Sequence, residues 1–157
     1  MSEIDFDARL AALGEEVPEP TVPGANYVPA VVVGNLVFLA GQVPRRGESL
    51  TCVGRLGENL TIEEGQAAAR LCALNLIVQL KVAAGGSLKR VKRIVKLTGF
   101  VNSAPDFTAM PQVVNAASDL FIEIFGEAGR HARSAVGAPS LPRGVGVEIE
   151  AIAEIEI

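Results

Sequence analysis

The amino-acid sequence predicts an α/β (α+β) domain in which one mixed β-sheet carries two helices on a single face. The clearest indication is the segment 147–157, where apolar residues alternate with mostly acidic ones, as in a strand with one buried and one wet face. Two long helical patterns separated by one strand-like segment are a second indication, and two β-branched runs joined by a short turn are a third. The predicted order is β-β-β-α-β-α-β-β, with both helices on the apolar side of the sheet.

Length and charge narrow the class of protein. The 157 residues, 49% of them hydrophobic, are enough for one domain with a substantial core. The formal net charge of -4 argues against nucleic acid as a partner, because a strong positive field is absent from the totals. No segment has the composition of a secretion signal or the roughly 20 apolar residues of a membrane span. We therefore expect a cytoplasmic protein with no membrane partner.

The N-terminal segment, residues 1–25, is predicted to be an appendage to a domain spanning 26–157. Within residues 1–13, apolar side chains at helical spacing predict a short amphipathic helix with Ser2 or Asp5 as its cap. Three prolines and a glycine then follow between residues 18 and 24. These residues break regular structure, so we expect an extended connector over the surface.

The first strands follow the connector. Val31–Val33 and Leu36–Ala40 are apolar runs separated by Gly34-Asn35, a dipeptide that favours a tight hairpin turn. A third strand is predicted around Leu50–Val53, after the turn-rich segment 44–47. These three strands would precede the first long helix.

Two helices and three strands complete the prediction, and one of these strands is the one beside Arg133. Thr61 and Glu64 form a capping-box pattern ahead of a helix that ends at Gly85-Gly86, with one face of Ala67, Leu71, Leu74 and Val78 covering the sheet. Residues 91–101 read as a strand. The second helix begins near Pro111, which suits a first helical turn, and stops at Gly126. The alternating segment 147–157 is the last strand.

One arginine and one glutamate are the main candidates for chemistry. Arg133 lies beside a predicted strand and Glu148 on the next. A guanidinium grips a carboxylate through two parallel hydrogen bonds, and a nearby carboxylate can exchange a proton with water. This pairing predicts a small carboxylate-bearing substrate. Two plainer interpretations remain open: Arg133 as a strand-edge arginine paired to an acidic neighbour, and Glu148 as part of a solvated acidic face.

Other chemistry-bearing residues favour structural roles. Cys52 and Cys72 are expected to be buried free thiols, because their spacing fits no metal or redox motif. His131 is the single histidine, and with no identifiable orienting partner it is predicted to be exposed. We expect no metal site. The basic segment 89–96 lacks interleaved aromatic residues and is more typical of a solvated strand than of an RNA-binding surface.

Several short segments together resemble the Rid family of reactive intermediate deaminases, also called YjgF-type or L-PSP endoribonuclease-like proteins. The resemblance covers residues 26–157, and the N-terminal extension is similar to that of a longer subgroup. The matching segments are Asn26–Ala30, Ala40–Pro44, Asn75, Ala132–Ser134, Leu141–Pro142 and Val147–Ala153.

The resemblance implies a chorismate-mutase-like fold assembled as a homotrimer, with the sheets lining a central barrel and a cleft between each pair of neighbouring subunits. Family members with deaminase activity hydrolyse enamine or imine intermediates, such as 2-aminoacrylate, to 2-keto acids and ammonium. The reaction needs no cofactor. Two further functions stay open: non-catalytic binding of small keto or amino acids in the same cleft, and the endoribonuclease activity in the family's older name.

The resemblance also assigns roles by position. Arg133 would bind the substrate carboxylate, and Glu148 would orient or activate water. The residues that would shape the pocket are Tyr27, Gly41, Asn115 and, through its backbone carbonyl, Ala135. Active relatives commonly carry serine where Ala40 stands and cysteine where Ala135 stands, so this pocket lacks a hydroxyl and a thiol.

Overall fold

The structure is a computed structural model that describes residues 4–157. In chain order its helices and strands are α1 (Phe6–Ala11), β1 (Ala30–Val33), β2 (Leu36–Gln42), β3 (Arg45–Arg46), β4 (Ser49–Leu50), α2 (Ile62–Ala83), β5 (Val91–Asn102), α3 (Met110–Phe125), β6 (Ala132–Ala138) and β7 (Val147–Ile155). Within the described residues, no helix has the length and apolar character needed to cross a membrane.

Five of the strands form one mixed sheet in the order β1-β2-β7-β5-β6. The pairs β1–β2, β2–β7 and β5–β7 are antiparallel, whereas β5 and β6 run parallel. Parallel neighbours need a crossover connection, which α3 supplies between β5 and β6. The predicted single mixed sheet with two long helices is confirmed.

Both long helices cover the same face of the sheet. The capping box predicted for α2 is present: the Thr61 side chain accepts from the Glu64 backbone N–H, and the Glu64 carboxylate accepts from that of Thr61. The predicted contact face is wrong at one position, since Ala67 is exposed while Ala68 and Ala69 are buried. Because α2 packs against α3 as well as the sheet, its buried surface is wider than a single stripe.

The last strand, β7, lies at the centre of the core. Its alternation predicts the burial pattern correctly as far as Ile155, where the strand ends, but Ile157, predicted on the same buried face, is 92% exposed. The side chains toward the helices are at most 4% exposed: Val147, Ile149, Ala151, Ala153 and Ile155. Fully burying one large aliphatic side chain is worth about 1.5–3 kcal/mol. A register slip of one residue would turn this whole set to the open face, so the alternation specifies the pairing of β7 with both neighbours.

The third strand predicted around Leu50–Val53 is not part of the sheet. The chain instead forms the two-residue strands β3 and β4, which pair only with each other. Cys52 adopts a left-handed backbone conformation with φ of 54°. An extended strand cannot continue through such a residue, and Val53 makes only an isolated bridge to Val145.

The N-terminal segment packs onto the domain. Helix α1 begins after Asp5, whose carboxylate accepts from the Ala8 backbone N–H over 3.0 Å; the alternative cap, Ser2, lies outside the described residues. Leu10 is buried in the main core, and the Phe6 ring meets the Phe125 ring edge-on at 5.0 Å. The appendage therefore shares the hydrophobic core of the domain.

Candidate active site

The predicted site residues form two groups on opposite faces of the sheet. Arg133 pairs with Leu97 of β5, which is buried under the helices, whereas Glu148 pairs with Phe100, three residues further along the same strand. Residues an odd number apart on a strand point to opposite faces. The prediction that Arg133 and Glu148 lie on adjacent strands is wrong, because β5 separates β6 from β7. Sequence order could not reveal this insertion.

The first group centres on Arg133 at the sheet edge. Its Nη1 donates to Oδ1 of Asn115 over 2.8 Å and to Oγ of Ser118 over 3.2 Å. Asn115 and Ser118 are three residues apart and share one face of α3. Within residues 4–157, Nε and Nη2 of Arg133 have no hydrogen-bond acceptor and the guanidinium has no ion pair. Two donors of a held guanidinium are therefore open to a ligand.

His131 supports this group, contrary to the prediction that it is exposed. Its ring is half-buried, with Nδ1 at 2.6 Å from the Gly129 carbonyl oxygen and Nε2 at 3.0 Å from Oγ of Ser118. A carbonyl can only accept, so Nδ1 carries the proton and the neutral ring accepts from the Ser118 hydroxyl at Nε2. The Ser118 oxygen then presents its lone pairs to Arg133. Sequence reasoning missed both residues, because their contact joins a helix to a distant turn.

Burial acts on the protonation of His131. Desolvation lowers the pKa of the imidazole, the hydrogen bond to Gly129 opposes that shift, and the positive charge of Arg133 adds to it. The ring is thus held neutral near pH 7, which is the state that the bond from the Ser118 hydroxyl requires. The imidazole also meets the Phe121 ring edge-on at 5.8 Å, which fixes its orientation.

The remaining pocket residue of this side is Ala135. It pairs with Gly99 of β5 and lies on the same face of β6 as Arg133, two residues away. Gly99 must be small, because a Cβ there would meet the Cγ2 and Cγ1 atoms of Val114 at 2.6 and 2.8 Å. Helix α3 therefore approaches the sheet closely beside Ala135, and Arg133, Asn115 and Ala135 line one edge of the domain.

The second group centres on Glu148 and Gly41. The Glu148 carboxylate lies directly against Gly41, where a Cβ would collide with its Oε1 atom. Glu148 is half-buried, whereas Glu150 on the same strand is exposed, so Glu148 is less solvated than this neighbour. Burial, together with the charge of Glu150, raises the pKa of the Glu148 carboxyl. A raised pKa brings this group closer to proton exchange near neutral pH.

Tyr27, Gly41 and Glu148 line a cavity of about 200 Å³. Two guanidinium groups that the sequence prediction did not include, those of Arg45 and Arg143, also line it. The connector supplies another wall through residues 21–24. Prolines and a glycine in that segment indicated an extended chain, but no pattern indicated where it would lie.

Metal ligation and thiol chemistry can be judged from the described residues 4–157. Among the described residues, no group of three or more histidine, cysteine, aspartate or glutamate side chains is arranged to hold a metal ion. Both cysteines are free, as predicted, although Cys52 is only partly buried. Burial and the charge of Glu64 raise the pKa of Cys52 to about 11, and burial raises that of Cys72 well above its usual range. Neither thiol is therefore activated near pH 7.

Comparison with known proteins places the chain in a family. Residues 7–155 match the family described as "YjgF/chorismate_mutase-like, putative endoribonuclease". The chain is 48% identical over 149 residues to Protein TCP17 of Trypanosoma cruzi, covering 94% of this chain and 92% of that protein. It is 32% identical over 142 residues to the 2-iminobutanoate/2-iminopropanoate deaminase of Dermatophagoides farinae, covering 88% of this chain and 91% of the relative.

Solved structures share the fold. The Agrobacterium tumefaciens protein Atu1372, of unknown function, has a TM-score of 0.88 and 43% identity, covering 97% of this chain and 94% of that one. TdcF of Escherichia coli with bound serine has a TM-score of 0.61 and 28% identity, covering 99% and 100%. With the predicted resemblance thus confirmed, the chain belongs to the YjgF/chorismate-mutase-like family, whose relatives include proteins named as deaminases of imino acids.

Proposed function

We propose that this protein hydrolyses small 2-imino and 2-enamino acids, such as 2-aminoacrylate, to 2-keto acids and ammonium. The observation that carries the proposal is Arg133, held by Asn115 with two guanidinium nitrogens left for a ligand. Those donors match the two oxygens of a substrate carboxylate. The relative named as a 2-iminobutanoate/2-iminopropanoate deaminase and the serine-bound TdcF structure support a small carboxylate-bearing ligand.

The second part of the proposal is that two neighbouring subunits of a homotrimer complete each site. In one chain Arg133 and Glu148 face opposite sides of the sheet, so a small substrate cannot contact both. An inter-subunit cleft would bring Arg133, Asn115 and Ala135 of one chain to Tyr27, Gly41 and Glu148 of the next. Apolar side chains on the open sheet face support assembly, since Val31, Phe38 and Val136 are 49%, 42% and 41% exposed.

The reaction mainly requires that the protein position the substrate and a water molecule. Protonation of the enamine carbon gives an imine, whose carbon is electrophilic. Arg133 would fix the carboxylate, and Glu148 would take a proton from the attacking water. The resulting carbinolamine releases ammonia as its C–N bond breaks, leaving the 2-keto acid. One water is consumed for each ammonia released, and no electron transfer occurs.

The direct test follows the decay of 2-aminoacrylate generated by a serine dehydratase. The wild-type protein should accelerate the release of pyruvate over buffer, and Arg133→Ala should abolish the acceleration. Arg130→Ala is the matched control, because the side chain of this nearby arginine pairs with the exposed Glu127 three residues earlier and, within residues 4–157, with no other residue. No acceleration by the wild type, or equal acceleration by Arg133→Ala, would overturn the assignment.

A second candidate is binding without turnover. Ala40 and Ala135 bring neither a hydroxyl nor a thiol to the pocket, which leaves Glu148 with little help from its surroundings. The same cleft would then hold a small keto or amino acid as a sensor or buffer. Calorimetry with 2-ketobutyrate separates the two functions: binding with no acceleration of imine decay favours the binding protein.

A further inference from the structure

The N-terminal extension forms part of the lining of the cavity beside Glu148. Residues 21–24 form one wall, and the Gln79 side chain of α2 holds them by donating from Nε2 to the Thr21 carbonyl over 2.9 Å. Gln79 is only 4% exposed. A buried amide committed to one connector carbonyl gives this wall a defined position. The extension is therefore an ordered part of the cavity wall.

Two guanidinium groups line the cavity without anionic partners. Within residues 4–157, neither Arg45 nor Arg143 makes an ion pair, and Arg143 makes no side-chain hydrogen bond. The only side-chain bond of Arg45 runs from Nε to the Gly47 carbonyl over 2.8 Å. By contrast, Arg55 outside this cavity is engaged by the carboxylate of Glu58 over 3.2 Å and by a backbone carbonyl. The arginines at the cavity keep most of their donors open.

The backbone of Arg143 is also unusual. It lies in the left-handed region with φ of 58° and ψ of 16°, a conformation that costs free energy for a residue with a Cβ. Gly144, the next residue, also has a positive φ of 75°. Asparagine or glycine would accept the Arg143 conformation more readily. An arginine in this strained position suggests that its guanidinium group has a role in the cavity.

The charge and size of the cavity define what it could hold. Two guanidinium groups face one carboxylate, Glu148, so a ligand anion would find net positive charge. The volume of about 200 Å³ is below the roughly 300–1,000 Å³ of sites for drug-sized ligands. It corresponds to several water molecules at about 30 Å³ each. A short carboxylate-bearing chain fits these limits.

We propose that Arg143 and Arg45 form a second anion subsite, which takes the distal carboxylate of a 2-imino dicarboxylic acid of four or five carbons. The proposal rests on the proposed function for its other half, since the α-carboxylate would be held by Arg133 of the neighbouring subunit. The planar fork of a guanidinium matches the two oxygens of a carboxylate. A substrate with two carboxylates would span the cleft from one subunit to the other.

The test compares the binding of two stable keto acids to the full-length protein by calorimetry. The five-carbon dicarboxylate 2-oxoglutarate should bind at least about tenfold more tightly than 2-ketobutyrate, the gain expected from one added charge-assisted contact. Arg143→Asn should remove this preference by weakening the binding of 2-oxoglutarate, and it should keep the local fold because asparagine accepts the left-handed backbone. Lys89→Met, which removes one positive charge from a segment outside the cavity, should leave the preference intact.

Equal affinity for the two acids, or binding of neither, would overturn the subsite. A preference that survives in the Arg143→Asn, Arg45→Met double variant would also overturn it. This experiment measures no turnover, so its result is distinct from failure of the hydrolase assignment. A dicarboxylate preference without imine hydrolysis would support the subsite and contradict the proposed reaction. Imine hydrolysis without a dicarboxylate preference would support the reaction and contradict the subsite.

Discussion

Nη1 of Arg133 donates to Oδ1 of Asn115 across 2.8 Å, which ties the edge strand β6 to helix α3. This bond holds one corner of the guanidinium and leaves Nε and Nη2 for a ligand. Asn115→Ala should therefore weaken 2-ketobutyrate binding by roughly tenfold, because the guanidinium loses a partner that orients it. Calorimetry measures the affinity, and a circular-dichroism melt checks that the fold is kept. An unchanged affinity would show that Asn115 does not position Arg133.

Protonation of His131 should affect stability in mildly acidic solution. Burial lowers the pKa of His131 in the folded state below the usual 6.5 of a histidine, so the unfolded chain binds the proton first. The stabilisation is complete above about pH 6.5 and is lost as the pH falls through the folded pKa. Urea unfolding between pH 8 and pH 5 should show a fall in unfolding free energy that is smaller in His131→Gln. Equal slopes in both proteins would contradict the assigned neutral state.

Gly41 and Glu148 should be energetically coupled. The Cβ of Gly41→Ala would meet Oε1 at the flexible end of the Glu148 side chain, so the carboxylate should move aside at a cost of about 1 kcal/mol of stability, the low end for overpacking. In the Glu148→Ala background the obstructing atoms are gone, so most of that cost should disappear, giving a clear interaction free energy in a double-mutant cycle. Gly24→Ala is the control, since a Cβ there meets nothing within 4 Å. Additive effects of the two substitutions would contradict the contact.

Glu148→Gln should separate binding from chemistry. Glutamine keeps the size of the side chain but cannot accept a proton, so kcat for imine hydrolysis should fall by roughly 10²–10⁴-fold while the affinity for 2-ketobutyrate stays. The raised pKa of Glu148 predicts that kcat/KM of the wild type increases with pH as the carboxylate forms, with a midpoint above 4.5, the usual pKa of a glutamate. That acid limb should be absent in Glu148→Gln. An unchanged pH profile would assign the base to another group.

Arg143 should contribute to ligand binding at a cost to the stability of the fold. Arg143→Gly relieves the left-handed conformation, which costs an arginine about 1–3 kcal/mol, although the greater freedom of glycine in the unfolded chain offsets part of the gain. We expect an unfolding midpoint in urea equal to or above that of the wild type, together with lost preference for 2-oxoglutarate. A marked loss of stability would show that Arg143 serves the fold instead.

The fold was largely predictable from the sequence because its signals are local. The capping box at Thr61 and Glu64 depends on residues three apart, and the alternation in 147–155 predicts burial residue by residue. The prediction of a third strand was wrong for a reason that is also local, but the residue types in this segment do not indicate it. Cys52 takes a left-handed conformation that β-branched and apolar neighbours give no hint of.

The sequence indicated some candidate residues but not how they are placed. Arg133 and Glu148 were identified, but their placement on adjacent strands was wrong, because β5 is inserted between β6 and β7 by pairing between distant segments. The contact between His131 and Ser118 likewise spans a turn and a helix. Such contacts depend on tertiary packing, which residue types and spacing do not encode directly.

Complementation between two inactive variants tests the central claim, hydrolysis at a site shared by two subunits, most directly. Arg133→Ala and Glu148→Ala should each fail to accelerate the decay of 2-aminoacrylate. Co-expression should form mixed trimers in which about one quarter of the clefts pair an intact Arg133 with an intact Glu148 from the neighbour, restoring about that fraction of the wild-type rate. Mixed trimers with no recovered activity, or full activity in either variant alone, would contradict the account.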